Sequence, residues 1–388
     1  MDTPATRPDR GRPWYVIGLA NFAIVAALSV VSWWVLADPR WSPLGVYPLP
    51  FNASLFWAIL FIVFVGFNCE FAGFNRVRQP LRGGLLMVTA AAFGIAVTWI
   101  LGSGLGRLMP DFDAHRAGGS GYFTGALFVL FAFFAYVMVV LNWEHWPWPQ
   151  LGLRQPVTGL CDIAFIFIPT LLIYLIWGLP AMAAHPTGYA PMTINVVLGY
   201  FYALVVATIL TGLCAENLPW STAGSGGRTA LAATVGNILL GSGLYFALLG
   251  VCKLLIGTGT TQALGDAIHQ FPAQLGVCWN FWIILWANAF GNWPTKRGRV
   301  TNIAARILIT FGLGVATFLA YYYWIAGNLL HEPVVAGALH GNALGFLDWA
   351  VLWTLFYVVG FESYGLPAAA DTLPEPVDST QEQFATTG

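Results

Sequence analysis

Asn142-Trp143-Glu144-His145-Trp146-Pro147-Trp148, followed by Arg154-Gln155-Pro156 and Gly159, closes one long apolar run and opens the next. The same frame stands earlier as Asn68-Cys69-Glu70 with Phe74, then Arg78-Gln79-Pro80 and Gly83. A glutamate with an aromatic or a leucine four residues on recurs at Glu216/Trp220 and Glu362/Leu366. Successive glutamates lie 74, 72 and 146 residues apart, and the last interval is two steps of 73. The missing copy falls at Ala289, whose aromatic partner Trp293 is present. A helix needs about 20 apolar residues to cross a bilayer, so each unit has room for two crossings and their connections. The pattern predicts an all-α polytopic integral membrane protein: ten transmembrane helices as five tandem pseudo-repeated helical hairpins of about 73 residues.

Composition agrees with that reading. Apolar residues make up 58% of the 388-residue chain and charged residues 9%, against about one quarter charged in soluble domains. A net charge of −1 leaves no basic face for nucleic acid, which is set aside as a partner. Ten apolar segments qualify as crossings, near 14–37, 52–70, 84–106, 121–143, 157–179, 192–215, 229–256, 272–290, 303–327 and 342–363. The first resembles a signal peptide, with Arg7, Arg10 and Arg12 ahead of it, but its core is too long and it fills the first half of unit one. The five cysteines lie inside apolar runs and read as small buried hydrophobes. Residues 1–13 read as a cytoplasmic N-terminal tail, 14–365 as the transmembrane domain, and 366–388 as a disordered cytoplasmic tail rich in Pro, Thr, Glu and Gln.

Basic residues set an expected orientation. With the N-terminus cytoplasmic, that side holds twelve of the sixteen, leaving Arg40, Arg107, Arg116 and Lys253 opposite. This is the positive-inside pattern of an inner membrane, with both termini cytoplasmic. Successive hairpins then share one orientation, so the units are related by an axis along the membrane normal, as a closed ring or an open arc. Odd helices carry small residues (Ala90, Ala91, Ala92 and Gly94; Gly236, Gly241 and Gly243; Gly312 and Gly314), which suit close packing at the inside. Even helices carry bulky aromatics such as Phe131, Phe133, Phe134, Trp279 and Trp282, which suit a wall facing lipid or ligand.

The repeated glutamates admit two readings. Glu70, Glu144, Glu216 and Glu362 stand at helix C-termini, where the dipole opposes a carboxylate, and Arg78, Arg154 and Arg228 follow the first three by 8, 10 and 12 residues. An interfacial Glu/Arg latch between hairpins is one reading; a ring of carboxylates at a pore mouth is the other. Departures from the repeat carry more information. Asp162, Asn237 and Arg306 fall at similar depth in odd helices, either lining an inner vestibule or pairing locally with the latch set. Asp348 is the deepest acid, 14 residues before Glu362. It suits a cationic or amphiphilic solute or a coupling proton, or else pairs with Lys253. Asn280 lies in the preceding even helix.

Five of the six histidines belong to the opposite loops; His331 and His340 are weak metal candidates without a helix-type ligand spacing. No helix interior offers a histidine pair for haem, and no nucleotide-binding or nucleophile-elbow motif is present, so no cofactor is expected. The leading expectation is a channel or secondary transporter for a small or amphiphilic solute, with Asp348, Asp162, Asn237 and Arg306 along its path. A non-catalytic membrane scaffold or accessory subunit holding lipids or a membrane protein partner is the alternative. An intramembrane enzyme acting on a lipid or isoprenoid substrate comes third.

Overall fold

The structure is a computed structural model that describes residues 13–116, 119–182 and 189–367. The N-terminal tail with Arg7, Arg10 and Arg12, the C-terminal tail from 368 onward and His185 lie outside the described residues. The chain is mostly helical, and nine helical stretches among the described residues are long and apolar enough to cross a bilayer. It is an integral membrane protein by that measure.

The principal helices are α1 (Trp14–Leu36), α2 (Phe51–Ile62), α3 (Leu81–Thr98), α4 (Gly121–Leu141), α5 (Val157–Ile173), α6 (Ile194–Ile209), α7 (Gly227–Leu264), α8 (Phe271–Ala289), α9 (Arg299–Ala320) and α10 (Ala343–Thr354). One of the nine stretches, Gly227–Ala289, holds both α7 and α8. Gly257 (φ 80°, ψ 165°) breaks it, and a 3-10 turn at Gly265–Gln270 precedes α8. Cys252 Sγ meets the Phe271 carbonyl oxygen at 3.4 Å, so the chain doubles back there. Helices α2, α6 and α10 run on as π-helical segments Val63–Asn68, Leu210–Cys214 and Leu355–Gly360. A small antiparallel pair, β1 (Val334–Ala336) and β2 (Leu339–His340), lies between α9 and α10.

The even helices form a closed circuit: α2 packs on α4, α4 on α6, α6 on α8, α8 on α10, and α10 back on α2. The odd helices lie outside it, with α3 against α2, α5 against α4, α7 against α6, α9 against α8 and α1 against α10. The inside and outside are therefore the reverse of the composition-based expectation. In the α10 stretch 83% of the apolar window is buried, against 22% in the stretches of α3, α5 and α9. The physical reason is volume. Five helices in a circuit leave an axial space that Phe56, Phe67, Phe133 and Tyr202 border and help to fill, and rings do this where glycine does not.

Small residues instead mark the stripe where an outer helix lies against the circuit. Helix α9 buries Asn302, Arg306, Thr310, Gly314 and Phe318 at four-residue spacing and leaves Leu308 and Val300 exposed. A Cβ on Gly94 would strike the Ser54 carbonyl and Ala58 of α2, and one on Gly314 would press on Trp279 of α8. Close backbone approach at these positions gives the van der Waals contact that holds helices together in lipid.

The same turn follows every even helix. Glu70/Phe71, Glu144/His145, Glu216/Asn217, Gly291/Asn292 and Glu362/Ser363 all have φ between 49° and 61°. The second amide of each pair donates to the carbonyl six residues back: Phe71 to Val65, His145 to Val139, Asn217 to Thr211, Asn292 to Trp286 and Ser363 to Tyr357, at 2.7–3.1 Å. These bonds satisfy carbonyls that a helix end otherwise leaves open. The fourth turn thus sits at Gly291/Asn292, two residues beyond Ala289, which is still helical. Where the glutamate is lost the chain places glycine, the residue that takes positive φ at least cost.

Candidate functional site at the axis of the helix circuit

Two cavities lie inside the circuit, and all five even helices contribute to the first. That cavity, of about 120 Å3, occupies the half nearer the glutamate turns and reaches Phe67, Leu141, Leu213, Asn288 and Leu355. The second, of about 270 Å3, lies toward the opposite end among Asn52, Phe56, Leu127, Gln270 and Asn342. Phe133 of α4, Tyr202 of α6 and Asp348 of α10 line both. They form the septum between the two spaces.

Asp348 is the acid of that septum, 3% exposed. Tyr202 donates its hydroxyl to Asp348 Oδ1 at 3.3 Å, and Asp348 Oδ2 has no hydrogen-bond partner. Asn280 of α8, 2% exposed, lines the first cavity with its amide nitrogen toward the Tyr202 hydroxyl and its amide oxygen unpaired. Of the residues lining the two cavities none is basic. A buried carboxylate without a counter-charge is costly, and buried polar atoms are normally paired, so this group stands apart from the packing around it. Lys253 is exposed on α7 and makes no ion pair with Asp348, which replaces that part of the sequence expectation.

Tyr202 was not singled out by residue type, yet its distance from the next glutamate marks it. It lies 14 residues before Glu216, as Asp348 lies 14 before Glu362. Phe56 and Leu130 hold the same register before Glu70 and Glu144 and line the second cavity. One layer of the circuit therefore carries Phe, Leu, Tyr and Asp at equivalent positions.

Asp162, Asn237 and Arg306 are not at the axis. Each belongs to the buried stripe of an outer helix and binds a glutamate-end turn. Asp162 accepts from Trp148 Nε1 at 2.9 Å and pairs with His145 Nδ1. Asn237 bonds Thr211, Asn142 and Trp220. Arg306 reaches Glu216 at 2.5 Å and donates to the carbonyls of Pro294 and Cys214. Their depth resembles that of a vestibule layer, but they point at the ends of neighbouring units rather than at the lumen.

The glutamate contacts also depart from the adjacent-hairpin latch. Arg78, Arg154 and Arg228 make no ion pair with Glu70, Glu144, Glu216 or Glu362. Glu362 pairs with Arg82 of α3 at 2.6 Å, Glu216 with Arg299 and Arg306 at the start of α9, and Glu70 Oε1 lies 3.5 Å from Gln155 Nε2 before α5. The partner helix starts one hairpin further round than expected, because each outer helix leans across the foot of its neighbour. No hydrogen bond or ion pair of the Glu144 side chain is found among the described residues. The glutamates do not line either cavity.

Behind the rim of the second cavity lies a further acid. Glu332 is 2% exposed and accepts from Tyr47 Oη (2.7 Å), Tyr321 Oη (2.8 Å) and the Asn342 amide (2.9 Å). Burial pushes its carboxyl up to about 7, with Asp38 adding to the rise and the three hydrogen bonds opposing it. Burial and Glu332 together push the Tyr47 hydroxyl well above its ordinary range. His331 Nδ1 meets Asp38 Oδ2 at 2.8 Å, and His340 Nδ1 meets the Glu332 carbonyl at 3.1 Å. The two histidines thus serve different partners, and no group of three or more His, Cys, Asp or Glu side chains converges among the described residues.

No protein-family model matches this sequence, and the searches of curated proteins and of solved structures likewise returned no match.

Proposed function

We propose that the chain is a channel or secondary transporter for a small or amphiphilic solute, with its path along the axis of the helix circuit. The observation that carries this reading is the pair of cavities that meet at Asp348 and Tyr202 inside a ring of five packed helices. Ionisable groups at such depth normally face a partner or a pathway.

The architecture that goes with it is five tandem hairpins related by an axis along the membrane normal. The positive-φ turns after α2, α4, α6, α8 and α10 support this, being spaced 74, 72, 75 and 71 residues apart. Ten crossings are proposed because Gly227–Ala289 is 63 residues long and would reach about 95 Å as one rod, three times the hydrocarbon thickness. The orientation proposed has the glutamate turns and both termini at the cytoplasmic face of an inner membrane. Arg76, Arg78, Arg82, Arg154, Arg228, Lys296, Arg297, Arg299 and Arg306 all sit toward that end.

The test is swelling of proteoliposomes in iso-osmotic solutions of small solutes of graded charge. Protein-dependent swelling that Asp348→Asn cuts at least tenfold, in protein that still elutes as a folded species, is the expected result. Swelling no faster than in empty liposomes, or equal in Asp348→Asn, rejects the reading.

A lipid-holding scaffold is the second reading. It is favoured by the walls of the first cavity, where only Tyr202, Asn280, Asn288 and Asp348 are polar among seventeen lining residues. Native mass spectrometry distinguishes it: a scaffold of this kind retains a stoichiometric lipid that Asp348→Asn does not release.

A further inference from the structure

Charge is the first clue to what this septum receives. Asp348 offers one unpaired oxygen and Asn280 an unpaired amide oxygen, both buried, and no lysine, arginine or histidine lines either cavity. An anion entering here would find no group to offset its charge, while a cation would be matched by the carboxylate that its own charge favours. The site therefore discriminates by sign before it discriminates by shape.

Ligand number argues against a desolvated inorganic cation. A desolvated alkali or alkaline-earth ion calls for about six oxygen ligands, and Mg²⁺ retains several waters that need polar walls. The septum supplies oxygens from Asp348, Asn280 and Tyr202, fewer than six; beside it the first cavity's walls are Ile59, Val63 and Val137, and the amides of Asn52, Gln270 and Asn342 in the second cavity stand at the helix starts, at the end away from the first cavity. Space argues the same way. A dry apolar cavity of about 150 Å3 holds a benzene-sized body, and about 270 Å3 lies on one side of Asp348 alone. The faces of Phe133 and Tyr202, which border both spaces, add an attraction for a cation that an alkyl wall lacks.

We propose that the Asp348 septum binds an organic monocation, a single ammonium-type charge carried on an apolar body about the size of one aromatic ring. The charge sits between Asp348 Oδ2 and Asn280, and the body occupies one of the two cavities. This assignment rests on reading the axial space as a solute site and names the class of solute for it.

The experiment is equilibrium binding of radiolabelled benzyltrimethylammonium to the full-length protein in nanodiscs, with benzyl alcohol and benzenesulfonate as neutral and anionic competitors. Saturable binding is expected that unlabelled cation displaces at least tenfold more effectively than either competitor. Asp348→Asn should weaken it at least tenfold, and Asp348→Glu should restore part of the loss. Equal competition by the three ring compounds overturns the proposal while leaving the cavity a solute site, and this comparison needs no variant. Absence of saturable binding, or binding equal in wild type and Asp348→Asn, overturns it as well. Because no flux is measured, a negative swelling result beside intact cation binding counts against transport and not against this assignment.

Discussion

Asp348 and Tyr202 stand at the same register of two different units and meet across the helix circuit, with the Tyr202 hydroxyl donating to Asp348 Oδ1 at 3.3 Å while Oδ2 is left without a partner. An acid held in this way is kept at the expense of stability. Replacing it by its neutral isostere removes the desolvation cost of the carboxylate and retains an acceptor for Tyr202.

Asp348→Asn is therefore expected to raise the stability of the protein by about 1–3 kcal/mol, the scale of an unsatisfied buried polar group, even as it abolishes binding or flux. Tyr202→Phe should have the opposite sign, since it leaves both carboxylate oxygens unpaired in the same apolar surroundings. Thermal unfolding in detergent reads both changes. A lower melting temperature for Asp348→Asn would mean that the carboxylate is structural and would end its candidacy as a solute site.

Two ion pairs at the glutamate end, Arg306–Glu216 and Arg82–Glu362, should differ about twofold in worth. Arg306 is 3% exposed in its side chain and serves Glu216 together with the carbonyls of Pro294 and Cys214. Arg306→Ala leaves the two carbonyls without this donor and Glu216 with Arg299 alone, and a loss of about 3 kcal/mol is expected. Arg82 pairs with a Glu362 that is 57% exposed and otherwise lies over the Phe71 ring at 4.8 Å. Water screens that pair, so Arg82→Ala should cost no more than about 1–2 kcal/mol. Equal losses in the two variants, measured by thermal or denaturant unfolding, would show that burial does not set the strength of these contacts.

How much of this was readable in the chain depends on what each residue has to satisfy. The glutamate spacing stands out because four of the five left-handed turns that follow the even helices begin on a glutamate, and a recurring backbone demand leaves a recurring residue. It misplaced the fourth copy because the demand is for positive φ, which Gly291 meets without any acid. Asp348 was legible because a lone carboxylate inside an apolar run has few structural uses. Tyr202 was not, since tyrosines are common in such segments and only its register beside Asp348 distinguishes it. The misreading of inside and outside has one cause: glycine signals close approach but not the side from which the approach comes. Asp162, Asn237 and Arg306 fall at similar depth in the sequence, but depth along a helix does not say which way a side chain points.

Glycines of the outer helices allow that distinction to be tested directly. Gly94 faces Ser54 and Ala58 of α2, whereas a Cβ on Gly243 meets nothing within 4 Å and the residue is exposed on α7. Gly243→Ala removes a flexible residue from a helix interior and should stabilise by about 0.5–1 kcal/mol. Gly94→Ala forces α3 away from α2 and should destabilise by about 1–3 kcal/mol, as overpacking does. Matched unfolding curves for the two variants would show that α3 and α2 are not held at the close approach on which the circuit depends.

The last expectation concerns pH. Glu332 faces Tyr47, Tyr321 and the Asn342 amide, with Asp38 and the rings of His331 and His340 close by. Its carboxyl is raised from an ordinary 4.5 to about 7 by burial, so the folded protein holds this proton more tightly than the unfolded chain does. Its contribution to stability is then fully present below pH 4.5 and is lost as pH rises to about 7, a change on the order of 3 kcal/mol. Glu332→Gln carries no charge to bury and should lack that component. The stability of the variant relative to wild type should therefore increase from pH 5 to pH 8. A difference that stays flat from pH 5 to pH 8 would mean that the carboxylate is ionised in the folded state throughout, with the two tyrosine hydroxyls and the amide outweighing its burial.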